Sequence, residues 1–191
     1  MATLIAYAGL PAAPWKNGGG STRELAVSPA GAQLEDFDWR ISVAAITADG
    51  AFSVFPGIDR SLVLVEGDCV RLTFDGAHTV LLDASSPMLW FAGEAVVGAE
   101  VTGPTLDFNV MTRRSRCRHQ LETTTAPCRL ARRSSTTLLF VAGDGPVLAR
   151  GGQQAFTLQR HDALLLDAFD APHWQLDAPH ATPVFLVDLF T

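Results

Sequence analysis

Ser61-Leu-Val-Leu-Val-Glu-Gly-Asp68 and Thr137-Leu-Leu-Phe-Val-Ala-Gly-Asp144 are two versions of one strand and turn, at a shift of 76 residues. At the same shift the hairpin signal Asp75-Gly76 falls on Gly151-Gly152. Leu106–Met111 falls on Phe185–Phe190 at a shift of 79. A slowly drifting offset is what a loop insertion leaves in two copies of one module, so duplication is the economical fold.

The repeated unit is β. Short runs of Val, Leu, Phe and Thr recur between Gly, Pro and Asp, with no long helical period, and each copy carries about six short strands. The expectation is an all-β duplication of an antiparallel barrel. We place an N-terminal barrel with a ligand pocket at 1–118 and a mainly structural C-terminal barrel at 119–191. Phe37, Trp39, Ile41 and Val43 alternate with Asp38, Arg40 and Ser42. Period two predicts a strand, yet a barrel holding a polar ligand can turn its polar face inward. Leu106, Phe108 and Val110 likewise alternate with Asp107, Asn109 and Met111, whereas Val184–Phe190 is apolar on both faces apart from Asp188. The first module can therefore present a polar cavity, and the second reads as filled.

Pro14-Trp-Lys-Asn-Gly-Gly-Gly-Ser-Thr-Arg23 concentrates the devices that hold a small anion. Gly18, Gly19 and Gly20 can turn amides toward an oxygen, Lys16 is the only lysine beside thirteen arginines, and Trp15 offers a flat wall. The lysine precedes the glycines and a strand follows them, so this is not a nucleotide phosphate loop. Pro56-Gly57 marks a turn before the charged pair Asp59-Arg60, whose arginine can fork onto a carboxylate or simply close the turn as a surface ion pair.

Other chemistries lack their residues. The five histidines are scattered, with no metal-ligand spacing, and there is no Gly-x-Ser-x-Gly. No metal, cofactor or catalytic residue is assigned. The net charge of −6 argues against nucleic acid, and the arginines at 113–118 and 129–133 read as a solvated connector. Three unpaired-looking cysteines predict free thiols in a reducing compartment. Met1–Ala13 lacks a signal-peptide pattern and no run reaches membrane-span length, so a cytoplasmic protein with no membrane partner is expected.

Residues 14–24, Asp38-Trp-Arg-Ile-Ser42, Phe52-Ser-Val-Phe-Pro-Gly-Ile-Asp-Arg60 and Asp107-Phe-Asn-Val-Met-Thr112 together resemble the HutD/Ves family. The resemblance implies a bicupin fold. For the HutD branch it implies a modulator of histidine utilisation that binds urocanate or a formylated glutamate. It also implies that the Trp15–Gly20 stretch, Arg40, Asp59-Arg60 and Asp107/Asn109 line the pocket. The expected ligand is a small carboxylate metabolite. Lys16, Arg40 or Arg60 meets its carboxylate, Gly18, Gly19 and Gly20 complete the anion site, and Asn17, Ser42, Asp107 and Asn109 read polar groups. Trp15 and Phe55 stack on a flat portion. The alternative is a cofactor-free isomerase or hydrolase using Asp107 with Lys16. A homodimer is left open.

Overall fold

The computed structural model describes residues 1–191. In chain order it opens with β1 (Thr3–Ile5), β2 (Ala13–Pro14), β3 (Gly20–Ser28), β4 (Trp39–Ile46), β5 (Gly50–Ala51), β6 (Ile58–Glu66) and β7 (Cys69–Phe74). Then follow β8 (His78–Asp83), β9 (Met88–Ala92), β10 (Val97–Val101), β11 (Thr105–Arg113), β12 (Arg118–Ala126) and β13 (Cys128–Ala131). The chain closes with β14 (Thr136–Val141), β15 (Val147–Gly151), β16 (Gln154–Leu158), β17 (Ala163–Leu166), β18 (His173–Asp177) and β19 (Thr182–Phe190). The only helix is a single 3-10 turn at Tyr7–Gly9, so the expected all-β class is what forms. No helix is long and apolar enough to cross a membrane.

Residues Pro11–Cys117 form one unit, in which a sheet of order β2-β3-β4-β11-β6-β9 faces a sheet of order β5-β10-β7-β8. Leu62 and Leu64 of β6 meet Val70, Leu72, Leu82, Val97 and Ala99 of the other sheet in a buried core. Each such side chain contributes roughly 1.5–3 kcal/mol by leaving water. The core occupies only part of the interior, and the rest carries the polar inward residues described below.

Met1–Leu10 with Arg118–Thr191 form the other unit, of sheets β1-β17-β14-β19-β12 and β13-β18-β15-β16. Strand for strand, β12-β19-β14-β17 repeats β4-β11-β6-β9, and β13-β18-β15-β16 repeats β5-β10-β7-β8. Here the interior is filled by Leu139, Val141, Leu164, Leu166, Trp174, Leu176, Val184 and Leu186. Val184 to Leu189 are all buried, as their two-sided apolar pattern predicts.

Two expectations need correction. Across β6/β14 and β11/β19 the equivalence between the halves is 77 residues, not 76 and 79, because Leu62 opposite Asn109 and Leu139 opposite Leu186 are the matching inward pairs. A slip of one residue moves every side chain to the other face, so only the packed structure fixes it. Residues 1–10 lie with 118–191 rather than in the first module. Thr3–Ile5 pair with Ala163–Leu165, the Ala2 amide donates to Asp170 Oδ1 at 2.7 Å, and the Tyr7 amide to Asp162 Oδ1 at 3.0 Å.

The arginine clusters are largely exposed, as expected, but several of them make specific contacts. Arg113 donates to the carbonyls of Phe37 and Glu35, and Arg116 binds Asp38 at 2.7 Å, which fixes the approach to β4. Arg132 holds the carbonyls of Asp170, Ser134 and Ser135. Cys69, Cys117 and Cys128 form no disulfide, as expected.

Candidate functional site

Three central strands of residues 11–117 lay inward side chains in cross-strand rows. Arg40, Met111 and Arg60 form the first row, Ser42, Asn109 and Leu62 the second, and Ala44, Asp107 and Leu64 the third. The polar face of the Phe37–Val43 alternation thus points into the barrel, while Phe37, Trp39, Ile41 and Val43 are buried on the opposite side. Above the first two rows opens a cavity of about 530 Å³. Its floor is the buried Arg60, Ser42, Leu62, Asn109 and Met111, and its rim is the exposed Ala13, Pro14, Lys16, Asn17, Leu34, Ala51 and Ser53.

Of the residues expected at a site, Trp15, Lys16, Asn17, Arg40, Ser42, Phe55, Arg60 and Asn109 line this one cavity. Gly18, Gly19, Gly20, Asp59 and Asp107 do not. The glycines serve the hairpin between β2 and β3. The Gly18 amide donates to Trp15 O and the Gly19 amide to Asn17 Oδ1, so neither is offered to an anion. A Cβ on Gly20 would sit 2.3 Å from the Ala45 carbonyl and 3.1 Å from the Trp15 ring. The loop therefore sets the tryptophan, whose indole N–H donates to Thr22 Oγ1 at 2.8 Å. We expect Gly20→Ala to lower stability by about 2 kcal/mol, read by thermal melts.

Asp59 and Arg60 are neighbours in sequence but point to opposite faces of β6. Asp59 turns outward to Arg114 at 2.7 Å, and Arg114 also engages Glu94, whose carboxyl it holds down at about 2. Arg60 turns inward with no carboxylate partner. Its Nη2 donates to Asn109 Oδ1 at 3.3 Å, and its Nε is buried without an acceptor. Phe52, Phe55 and Phe91 box the guanidinium at 5.3, 5.7 and 4.9 Å from their ring centres. Burial, then the charge of Arg40, pulls its pKa down to about 10. An arginine stripped of water and left without a counter-ion is costly unless something else supplies the negative charge.

The three cations differ accordingly. Arg40 is already matched by Glu24 Oε2 at 2.8 Å. Lys16 is exposed at the rim and makes no ion pair. Only Arg60 is both buried and unmatched.

Ser42 Oγ on the floor is also buried without a partner. Deeper in the same barrel, Asp107 accepts from Thr105 Oγ1 at 2.8 Å while its Oδ1 has no donor. Burial pushes this carboxyl up to about 7, against the Thr105 hydrogen bond. All three unpartnered atoms in this unit come from the inward faces of β4, β6 and β11. Asp107 keeps the face that its alternation predicts but lies one row below the cavity floor. Sequence reasoning passed over Phe52 and Met111. Met111 shares the Asn109 face by period two, and Phe52 is visible only once Arg60 is placed. Leu34 gave no signal.

The HutD family model matches residues 7–184. An uncharacterised 21.2 kDa protein from the hutC 3′ region of Pseudomonas putida is 35% identical over 84% of this chain and 84% of its own length. Protein Ves of Cronobacter sakazakii is 42% identical over 67% of this chain and 66% of that protein, just under two thirds of its length. Among solved structures, HutD from Pseudomonas fluorescens SBW25, in a formate condition, superposes with a TM-score of 0.85 at 30% identity. That match covers 100% of this chain and 98% of the other. A cupin 2 conserved barrel domain protein from Leptotrichia buccalis shares the fold alone, with a TM-score of 0.58 at 11% identity over 87% of this chain and 86% of that one. The two units are cupin-like, and the duplicated chain is a bicupin.

Proposed function

This chain belongs to the HutD family, and on that premise we propose that the cavity of residues 11–117 binds a small carboxylate metabolite and so modulates histidine utilisation. The observation that carries the reading is Arg60, a buried guanidinium with an idle Nε–H and no acid beside it. A carboxylate entering the cavity supplies the missing charge and the missing acceptor together, and a charge-assisted contact of that kind contributes about 1.5–3 kcal/mol. Ser42 and Asn109 lie in the adjoining row to orient the anion. Trp15, Phe52 and Phe55 offer apolar surface to a flat or aliphatic body, and Lys16 at the rim suits a second acidic group. Urocanate, a flat monoacid, fits the first part of that description, and formylglutamate, an aliphatic diacid, fits all of it. No step of this reading requires a metal or cofactor.

A thermal-shift panel of urocanate, formylglutamate, histidine and glutamate tests the reading. At about a hundred times the dissociation constant a binder adds roughly 2.7 kcal/mol. For a chain of this size that is a rise in Tm of about 5–10 °C. Silence from every member defeats it. Asp107, held near 7, is the observation that favours the alternative, a cofactor-free isomerase or hydrolase. Incubating the same panel and looking for product separates the two, and the position of Asp107 below the floor favours binding without turnover.

A further inference from the structure

The two halves differ at one edge. In the unit of 1–10 and 118–191, the strand β17 is covered by β1, which adds three antiparallel residues, Thr3–Ile5, to the sheet. Its counterpart β9 pairs only with β6, and no strand of the chain covers its other side. Native proteins blunt such an edge with charges, proline or a bulge. Met88-Leu-Trp-Phe-Ala92 has none of these, and Trp90 at its centre is 61% exposed.

The hydrogen-bond phase of this strand is fixed at both ends. Gly93 N donates to Ile58 O at 2.7 Å and Leu64 N donates to Pro87 O at 2.8 Å. The odd-numbered residues therefore serve β6, and Met88, Trp90 and Ala92 turn their amides to the open side, with the carbonyls of Met88 and Trp90, while Ala92 O accepts from the Ala95 amide at 3.1 Å. We infer that β9 is a docking edge for a second copy of this chain, paired antiparallel with its own counterpart about a two-fold axis through Trp90. In that register Trp90 faces Trp90 of the partner subunit as a mutually hydrogen-bonded pair. Met88 faces Ala92 of the partner subunit, whose amide finds the Met88 carbonyl, while its carbonyl is shared with the Ala95 amide of its own turn. The strand is uncharged and its bonding phase is symmetric about residue 90, so the pairing is self-complementary and closes as a dimer rather than a fibre. The second half shows that the fold accepts an antiparallel strand at this position.

Light scattering after size exclusion, from about 1 µM to about 1 mM, tests the assignment. The wild-type chain is expected to move with concentration toward twice its 20.4 kDa mass. Trp90→Pro removes one edge amide without touching the β6 ladder, and it is expected to stay at the single-chain mass. Should that variant fail to fold by circular dichroism, Trp90→Glu places like charges across the axis and is expected to stay monomeric. Exchange of the Trp90 amide is expected to slow at least tenfold as the dimer fills. A wild-type chain that stays monomeric throughout overturns the assignment. So does a folded edge variant that dimerises like wild type, or a mass matching a complex with another protein.

Discussion

Replacing Arg60 by methionine abolishes the carboxylate-dependent rise in Tm and leaves the ligand-free protein about as stable as before. The two halves of that expectation have one cause. Burial that pulls the guanidinium to about 10 corresponds to a penalty on the order of 3 kcal/mol in the folded state at neutral pH. The three ring contacts return about 0.5–1 kcal/mol each and the Asn109 hydrogen bond about 1 kcal/mol. The terms nearly cancel, so a methionine of similar reach, packed among Phe52, Phe55 and Phe91, should move Tm by no more than about 3 °C. The ligand, however, loses its only buried counter-charge and at least about a hundredfold in affinity. Melts of wild type and variant, each with and without saturating ligand, read both quantities. If the variant falls by about 10 °C, the arginine serves the fold rather than a ligand.

Asp107 sets the second large effect. Its carboxyl titrates near 7 in the folded chain and near 4 when unfolded, so between those values the folded state keeps a proton that the unfolded chain has lost. Stability from this group is complete below about pH 4 and is lost progressively as pH rises through about 7. A gap of that size is on the order of 4 kcal/mol, about 10 °C in Tm between acid and mildly alkaline solution. Asp107→Asn keeps an oxygen for the Thr105 hydroxyl and removes the titration. The variant is expected to flatten that slope and to be the more stable protein at about pH 8. Equal slopes for the two proteins would show that Asp107 is ionised and solvated at neutral pH.

Much of this was legible in the residues. The duplication, the all-β class and the contrast between a polar first module and a filled second one follow from alternation, because side chains on a strand reverse face at every step. The same rule puts Arg40 with Ser42 and Asn109 with Met111. What the chain could not declare is which neighbour satisfies which charge. Glu24 and Arg40 are sixteen residues apart, and Asp59 finds Arg114 across fifty-five, so their cancellation is a product of register. The glycine triplet misled for a related reason. Its composition suits an anion nest, but the amides of Gly18 and Gly19 close their own turn. The offset of 77 was hidden because both faces of Leu62–Leu64 and Leu138–Leu139 are apolar, which lets a one-residue slip go unnoticed in sequence.

A crystal structure of the protein grown with formylglutamate or urocanate examines the central claim most directly. A carboxylate is expected in the cavity, about 2.8 Å from Arg60 Nε and flanked by Ser42 and Asn109, with Arg40 still on Glu24. A cavity holding only water beside Arg60, with the acid bound at surface arginines or nowhere, would contradict it.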